Sequence, residues 1–275
     1  MDTVVQALVM GIVQGLTEFL PVSSSGHLIL VPAIFGWDDP FIGSLAFSVM
    51  LHMGTLVALL VFFWRDWVRL IPAGLAAVRD RSFDGDSDRR LAWLLVVTMI
   101  PAVIVGVLLN DFIEQNVRLP GVVAGLLVIG AILLWVTDHW SRQDRHITDL
   151  SVGGAFGVGV AQALALFPGI SRSGISISAG RVLGLTRPDA ARFSFLMAAP
   201  IIAGAGGWEL LKLVRGGSDV PIELGPLVVG MVAAFVSGMV AIGFLLRWVS
   251  SHPLDLFVVY RLVVAAAVIV WFLAP

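Results

Sequence analysis

Residues 14–27 read Gln-Gly-Leu-Thr-Glu-Phe-Leu-Pro-Val-Ser-Ser-Ser-Gly-His, and they place a carboxylate and an imidazole inside a long apolar stretch. The Pro-Val-Ser-Ser-Ser-Gly segment interrupts what would otherwise be one helix. Non-helical backbone at membrane depth is tolerated only where protein or a water-filled cavity satisfies its polar groups. We therefore predict that roughly residues 4–34 form a re-entrant helix–loop–helix hairpin.

A second stretch has the same pattern. Residues 168–174 read Pro-Gly-Ile-Ser-Arg-Ser-Gly and interrupt another apolar segment, which predicts a second re-entrant hairpin over 150–183. At a constant offset of 148, seven of the sixteen positions 11–26 are identical in the second stretch. The matches include a glutamine and fall at equivalent places, so we interpret the two stretches as copies of one structural unit.

The composition is that of a membrane protein. Of the 275 residues, 58% are hydrophobic and 13% are charged, whereas a soluble domain has about 45–50% and about 25%. A net charge of −2 with a single lysine excludes a basic nucleic-acid surface. The absence of cysteine excludes disulfides and thiolate catalysis. The first residues lack the positive region of a signal peptide, so we expect a mature N-terminus.

We predict an all-α, polytopic membrane protein with six transmembrane helices and the two hairpins, because apolar runs near 20 residues can cross a bilayer. Three spans follow each hairpin, which predicts repeat 1 over about 1–137 and repeat 2 over about 150–275 within one domain, 1–275. An odd number of crossings separates the copies, so the repeat is inverted, and such repeats place their site near the bilayer midplane. The predicted spans are 42–64, 91–109, 121–137, 191–211, 226–247 and 255–273.

The arginines orient the chain. The segment 65–90 carries six arginines, and placing it in the cytoplasm puts eleven basic residues inside and three outside. Cytoplasmic loops carry such an excess. We therefore expect both termini to face outward, with the hairpins entering from opposite faces.

The two hairpin copies differ in chemically important positions. The first copy has Glu18 and His27 where the second has leucine and isoleucine, and the second has Arg172 where the first has Ser24. An ionisable residue inside a membrane segment marks a functional site by default. Arg172 precedes a short helix whose N–H groups favour an anion. The structural alternatives are that Glu18 only pairs with Arg172 or Arg261, and that Arg172 only holds a broken helix together.

The two motifs resemble a known family. Residues 14–27 are similar to the first signature of the bacterial undecaprenyl-diphosphatase (bacitracin-resistance) family, and residues 168–174 to its second. Gln14 and Glu18 fit the family's [E/Q]-x-x-x-E pattern, whereas Ser176 replaces its usual threonine. The resemblance implies removal of the terminal phosphate of undecaprenyl diphosphate in the bacterial inner membrane, which recycles the carrier lipid for peptidoglycan synthesis and gives bacitracin resistance. It also implies an inverted-repeat fold, a requirement for Mg²⁺ or Ca²⁺, and frequent dimers.

Carried over by position, the resemblance makes Glu18, Ser24, His27 and Arg172 the expected catalytic residues. Arg172 would hold the phosphates, Glu18 and His27 would move protons, and a metal ion could bridge the diphosphate to Glu18. The nucleophile is either Ser24 or a water held by Glu18. The expected substrate-binding residues are Gln14, Ser23, Ser25, Ser171, Ser173, Ser176 and Arg261.

Alternatives from other classes remain. Inverted repeats and broken helices are also typical of transporters, so an anion transporter or lipid flippase is the main alternative. A lipid phosphatase with a nucleophilic histidine is rejected, because position 178 is serine where that type has the histidine. His52 either faces the polar pocket or only hydrogen-bonds within the helices.

Overall fold

A computed structural model describes residues 2–82, 86–215 and 221–273. These residues form eleven α-helices and two short 3-10 turns, and the described part contains no strand, so the predicted all-α fold is confirmed. The helices are α1 (Thr3–Phe19), α2 (Ser24–Phe35), α3 (Leu45–Phe62), α4 (Trp64–Asp80), α5 (Ser87–Asn116), α6 (Pro120–Trp140), α7 (Val152–Ala163), α8 (Arg172–Val182), α9 (Arg187–Val214), α10 (Leu224–Val249) and α11 (Asp255–Leu273). The 3-10 turns are Ile147–Asp149 and Leu164–Leu166.

Five of the described helices are long and apolar enough to cross a membrane, so the chain is a multi-pass membrane protein. They overlap the first five predicted spans and cover Leu45–Phe62, Ser87–Leu109, Pro120–Trp140, Arg187–Lys212 and Leu224–Val249. The sixth predicted span has the bounds of α11, which packs along α6 but lies outside this count.

Both predicted hairpins are pairs of helices separated by a break. α1 and α2 flank the first break, and α7 and α8 flank the second. Ser23 and Ser171 end the breaks with positive φ angles of 76° and 75°. Each serine caps the next helix, because its Oγ accepts the N–H of Gly26 or of Gly174, at 3.3 and 3.1 Å. The two breaks therefore repeat in conformation as well as in sequence.

The two halves pack on each other reciprocally. The first helix of each hairpin lies along the second long helix after the other hairpin, α1 on α10 and α7 on α5. The remaining long helices pair with their counterparts, α3 with α9 and α6 with α11. This is the pattern that two copies of one unit related by a pseudo-twofold axis would give. The inversion relative to the membrane and the repeat boundaries stay predictions.

Glycines permit the closest of these helix contacts. A Cβ on Gly11 of α1 would collide with the backbone of Gly230 in α10. A Cβ on Gly159, the equivalent position in α7, would lie 2.5 Å from the carbonyl oxygen of Thr98 in α5. Small residues let membrane helices approach to backbone contact, and here they fix where the hairpins sit against the long helices.

The arginine-rich segments meet at one end of the molecule. Arg192 at the start of α9 donates to Asp66 of α4 at 2.6 Å, and Arg90 of α5 donates to the carbonyl oxygen of Leu150 at 2.8 Å. These are segments that the charge distribution placed on a common side. Residues 64–80 form a helix, α4, where the charge pattern of 65–90 predicted only a connection between spans.

Candidate functional site

The two hairpin breaks are bonded to each other. The Oγ of Ser23 accepts the N–H of Gly169 at 3.0 Å, and the Oγ of Ser173 donates to the carbonyl oxygen of Leu20 at 2.9 Å. These bonds join positions about 150 residues apart in the chain. They bring the N-terminal ends of α2 and α8 together, as the sequence analysis expected.

Arg261 holds this junction from behind. Its side chain is fully buried and donates to four backbone carbonyl oxygens. The acceptors are Leu127 at 3.1 Å, Pro21 at 3.2 Å, Gly169 at 2.7 Å and Ile170 at 3.0 Å. Pro21 belongs to one break and Gly169 and Ile170 to the other. Arg261 was predicted to bind substrate, but the structure places it against backbone and not on the cavity described below.

Glu18 is the centre of the cluster in front of the junction. Its side chain is buried, and its Oε1 forms an ion pair with the Arg172 guanidinium. Its Oε2 accepts the Ser24 hydroxyl and, at 3.0 Å, the amide of Gln14. The carboxylate thus joins α1, α2 and α8, and it contacts two of the other three predicted catalytic residues.

Arg172 and Ser24 occupy matching places at the two helix starts. Ser24 is the first residue of α2 and Arg172 is the first of α8. Arg172 also donates to the carbonyl oxygen of Ala198 at 3.2 Å, which fixes its guanidinium between α8 and α9. Two helix N-termini and a guanidinium at one place form a strongly anion-attracting environment.

His27, the fourth predicted catalytic residue, points elsewhere. Its Nδ1 lies 2.8 Å from the carbonyl oxygen of Ser23, so Nδ1 carries the proton and donates. Its Nε2, the acceptor of a neutral ring with the proton on Nδ1, lies 2.8 Å from the hydroxyl oxygen of Tyr260. The ring is buried and lies outside the lining of the cavity. The structure therefore separates His27 from the cluster around Glu18.

His52 lies beside Glu18 instead. Its Nε2 is 3.5 Å from Oε2 of Glu18, while its Nδ1 lies 2.8 Å from the carbonyl oxygen of Ser48 one turn earlier in α3. The sequence analysis left the direction of His52 open. The structure places it in the polar cluster, where it contacts the oxygen that also accepts Ser24.

A cavity of about 220 Å³ opens in front of this cluster. Its apolar wall includes Val49, Leu166, Ile201 and Ile202. The polar residues that line it are Glu18, Ser24, Ser25, His52, Gln162 and Arg172. A small polar chamber with an apolar wall fits the charged end of an otherwise apolar molecule.

Three of the other predicted serines form hydrogen bonds within or across the two hairpin breaks. Ser23 and Ser171 cap helices, and Ser173 bonds across the junction. Ser176 is buried in α8, and its Oγ has no hydrogen-bond partner among the described residues. Of the predicted substrate-binding serines, only Ser25 lines the cavity.

Gln162 is a cavity residue that the sequence analysis used only as evidence for the repeat. Its Nε2 donates weakly to the carbonyl oxygen of Thr98 at 3.4 Å, and its buried Oε1 has no partner within the described ranges. The signal was present, because Gln162 is the counterpart of Gln14 at the offset of 148.

The side chains on the cavity could bind a metal ion only together with oxygens of a bound substrate. Within the described residues, no group of three or more His, Cys, Asp or Glu side chains could hold a metal ion. Glu18 is the carboxylate on the cavity, and Gln162, whose buried Oε1 has no hydrogen-bond partner among the described residues, also lines it. Mg²⁺ is commonly held by one or two carboxylates together with substrate phosphates, and these residues fit that mode.

Comparisons with known proteins identify the family of the chain. The profile of the family described as "Bacitracin resistance protein BacA" matches residues 7–267. A protein named undecaprenyl-diphosphatase from Desulforudis audaxviator is 46% identical over 265 residues, which cover 96% of this chain and 96% of that protein. Proteins of the same name from Gemmatimonas aurantiaca and Idiomarina loihiensis are 46% and 42% identical over 267 residues each, with at least 97% of both chains covered. The chain therefore belongs to the bacitracin resistance protein BacA family.

Proposed function

We propose that this member of the BacA family hydrolyses undecaprenyl diphosphate to undecaprenyl phosphate and inorganic phosphate. One observation carries the proposal: Glu18 contacts both Ser24 and Arg172 where two helix N-termini meet at a cavity. Relatives that match this chain over almost their full length are named undecaprenyl-diphosphatase. A transporter has no comparable support from the comparisons.

The cavity takes the diphosphate end of the lipid. Its volume of about 220 Å³ is below the roughly 300–1,000 Å³ that drug-sized ligands occupy, so the long polyprenyl chain extends beyond it toward the bilayer. Arg172 and the N–H groups at the starts of α2 and α8 bind the phosphate oxygens. The apolar wall with Ile201 and Ile202 contacts the first part of the tail.

Ser24 is the nucleophile in this proposal. Its hydroxyl already donates to Glu18, which accepts the proton as Oγ bonds to the terminal phosphorus. The bridging P–O bond breaks, and undecaprenyl phosphate leaves with the bonding electrons. Arg172 stabilises the negative charge in the transition state. Water then attacks the phosphoserine and the Ser24 Oγ–P bond breaks: Glu18 returns its proton to Oγ, the water oxygen remains on inorganic phosphate, and the proton lost by the water passes to the phosphate or to solvent.

Mg²⁺ or Ca²⁺ is the cofactor that the family resemblance implies. Glu18, with the amide oxygen of Gln162, would hold the ion together with diphosphate oxygens. When bound, the ion would neutralise phosphate charge and polarise the phosphorus. Arg172 would then leave its present ion pair with Glu18 and form one with the phosphate of the substrate.

The placement of the chain follows from its charge. We propose that it lies in the bacterial inner membrane with the arginine-rich end in the cytoplasm and both termini in the periplasm. The lipid substrate and the bilayer are its partners. A homodimer stays a prediction.

Phosphate release by the purified protein in detergent tests the proposed function. Wild type should release phosphate from undecaprenyl diphosphate in the presence of Mg²⁺ or Ca²⁺, although detergent leaves no two compartments to transport between. Ser24→Ala should remove at least 99% of the rate, whereas Ser250→Ala, at the distant exposed end of α10, should behave as wild type. If well-folded wild type released no phosphate but moved the lipid across the membrane of liposomes, the protein would be a transporter and not a phosphatase.

A further inference from the structure

Helix α4 carries two apolar faces, and the protein covers only one of them. Leu70 and Ala77 are buried where α4 packs on α5. A second row is between 55% and 67% exposed, and it comprises Trp64, Val68, Ile71, Leu75 and Val78. Spacings of four and three residues place this row on one side of the helix. Five large apolar side chains in a row indicate that something apolar covers them.

The position of α4 in the chain identifies what covers this row. α3 and α5 are candidate membrane spans, and a single residue, Phe63, separates α3 from α4. Val57 and Val61 of α3 are exposed on its surface. Val61 lies three residues before Trp64, and the single residue Phe63 joins the two helices, so the exposed apolar surface of α3 ends where the row on α4 begins. The bilayer that covers α3 therefore covers this face of α4 at the membrane surface.

The third face of α4 is cationic. Arg65 and Arg69 lie away from both apolar faces by helical periodicity, and Arg79 lies at the edge of the exposed row, four residues after Leu75. Arg79 pairs with Asp80 at 2.9 Å, and Arg69 pairs with Asp66 at 3.2 Å. Arg65 differs, because its recorded contact among the described residues is with the ring of Trp64, at 5.4 Å from the ring centre. Within the described ranges no carboxylate forms an ion pair with Arg65.

Arg65 borders a cavity of about 560 Å³ at the start of α4. Phe62 and Leu246, at the ends of two spans, form its apolar part. Asp66 and Asp189 also line it, but Asp66 is paired with Arg192 at 2.6 Å. Asp189 accepts the Thr186 hydroxyl at 2.9 Å and also contacts His146. Since both aspartates of the cavity already have partners, Arg65 is available to bind an anion. The apolar residues beside it suit the start of an acyl chain.

We propose that α4 is an interfacial helix, buried by its row Trp64–Val78 in the headgroup layer of one leaflet, and that Arg65 binds the phosphate of an anionic phospholipid there. A helix with a large apolar face and arginines opposite has the properties of interfacial helices. Arginine suits this task because its planar fork can donate two hydrogen bonds to one phosphate. This proposal does not depend on the activity of the protein.

Spin labels test the placement of the helix. The chain has no cysteine, so single labels can be introduced at Val68→Cys and Arg69→Cys, two adjacent side chains that are 64% and 58% exposed. In liposomes we expect oxygen to reach the Val68 label at least threefold more than a water-soluble nickel reagent does, and the Arg69 label to show the reverse preference. Equal access of the nickel reagent to both labels would overturn the interfacial placement.

Lipid binding tests the role of Arg65. Native mass spectrometry of the purified protein should detect phosphatidylglycerol in preference to phosphatidylcholine, and Arg65→Gln should weaken phosphatidylglycerol binding about fivefold. Arg118→Gln, which removes the same charge outside α4, is the control and should bind as wild type. Equal binding of both lipids, or an equal loss in the two variants, would overturn the assignment of Arg65. Competition by inorganic phosphate alone would identify a free-anion site and would also overturn it.

Discussion

The Nε2 atom of His52 lies 3.5 Å from Oε2 of Glu18, the oxygen that also accepts the hydroxyl of Ser24. His27, which the sequence motif contains, has both ring nitrogens engaged by Ser23 and Tyr260. The histidine nearest to the reacting groups is therefore one that the motif does not include. The two histidines give a matched pair of variants.

His52→Gln should lower kcat more than His27→Gln does. Removing a side chain that contacts Glu18 shifts the carboxylate, and a displacement of about 1 Å can cost roughly 100-fold in rate. His27→Gln should mainly lower the melting temperature, because it loses the bond to Tyr260. Steady-state kinetics and thermal melts of both variants measure this. The reverse order of kcat values, with both proteins folded, would restore His27 as the functional histidine.

Arg261→Lys should destabilise the protein. A lysine cannot reach the four carbonyl oxygens that Arg261 binds, and each buried group left without a partner costs about 1–3 kcal/mol. Arg247→Lys, at an exposed position, is the control. Melting temperatures in detergent check the prediction. A normal melting temperature with a strongly raised KM would show instead that Arg261 binds substrate, as the sequence pattern suggested.

Gly159→Ala and Gly157→Ala should differ although both lie in α7. A Cβ at position 159 would meet the backbone of Thr98, whereas nothing lies within 4 Å of a Cβ at position 157. Overpacking of this kind costs about 1–3 kcal/mol, and Gly157→Ala should be neutral or slightly stabilising. Thermal melts decide. Equal stability of the two variants would contradict the close packing of α7 on α5.

Metal removal should be fast and reversible. The described residues offer one carboxylate on the cavity and no cluster of ligands that could hold an ion alone. A chelator should therefore abolish phosphate release, and added Mg²⁺ or Ca²⁺ should restore it at once. Metal analysis of the substrate-free protein should find less than one ion per chain. A tightly bound ion that survives dialysis would contradict this arrangement.

The sequence predicted the outline of the fold because lipid imposes strong constraints. Apolar runs located the spans, and the two Pro-, Gly- and Ser-containing breaks located the hairpins. Helix α4 was missed, because three of its residues are arginines and its longest uncharged run is far shorter than a membrane span. Its periodicity of four and three residues was the signal available.

The site was predicted in part. Glu18 and Arg172 stood out because charged groups are rare in apolar segments, whereas Ser24 was named from the family resemblance. In the structure Glu18 contacts both Ser24 and Arg172. The direction of a histidine cannot be obtained from spacing alone, so the roles of His27 and His52 were not separable. Arg261 carries charge in the same way as Arg172, and only the fold shows that it meets backbone carbonyl oxygens.

The most direct test of the account compares wild type with Glu18→Gln and Arg172→Lys in phosphate release from undecaprenyl diphosphate. Both variants should lose at least about 100-fold in kcat/KM, since Glu18→Gln removes the carboxylate that contacts the reacting hydroxyl and Arg172→Lys loses the planar fork that can bind two phosphate oxygens. Their melting temperatures should stay close to that of wild type if the ion pair serves catalysis. Rates within about tenfold of wild type in both folded variants would contradict a phosphatase site at the junction of the two hairpins.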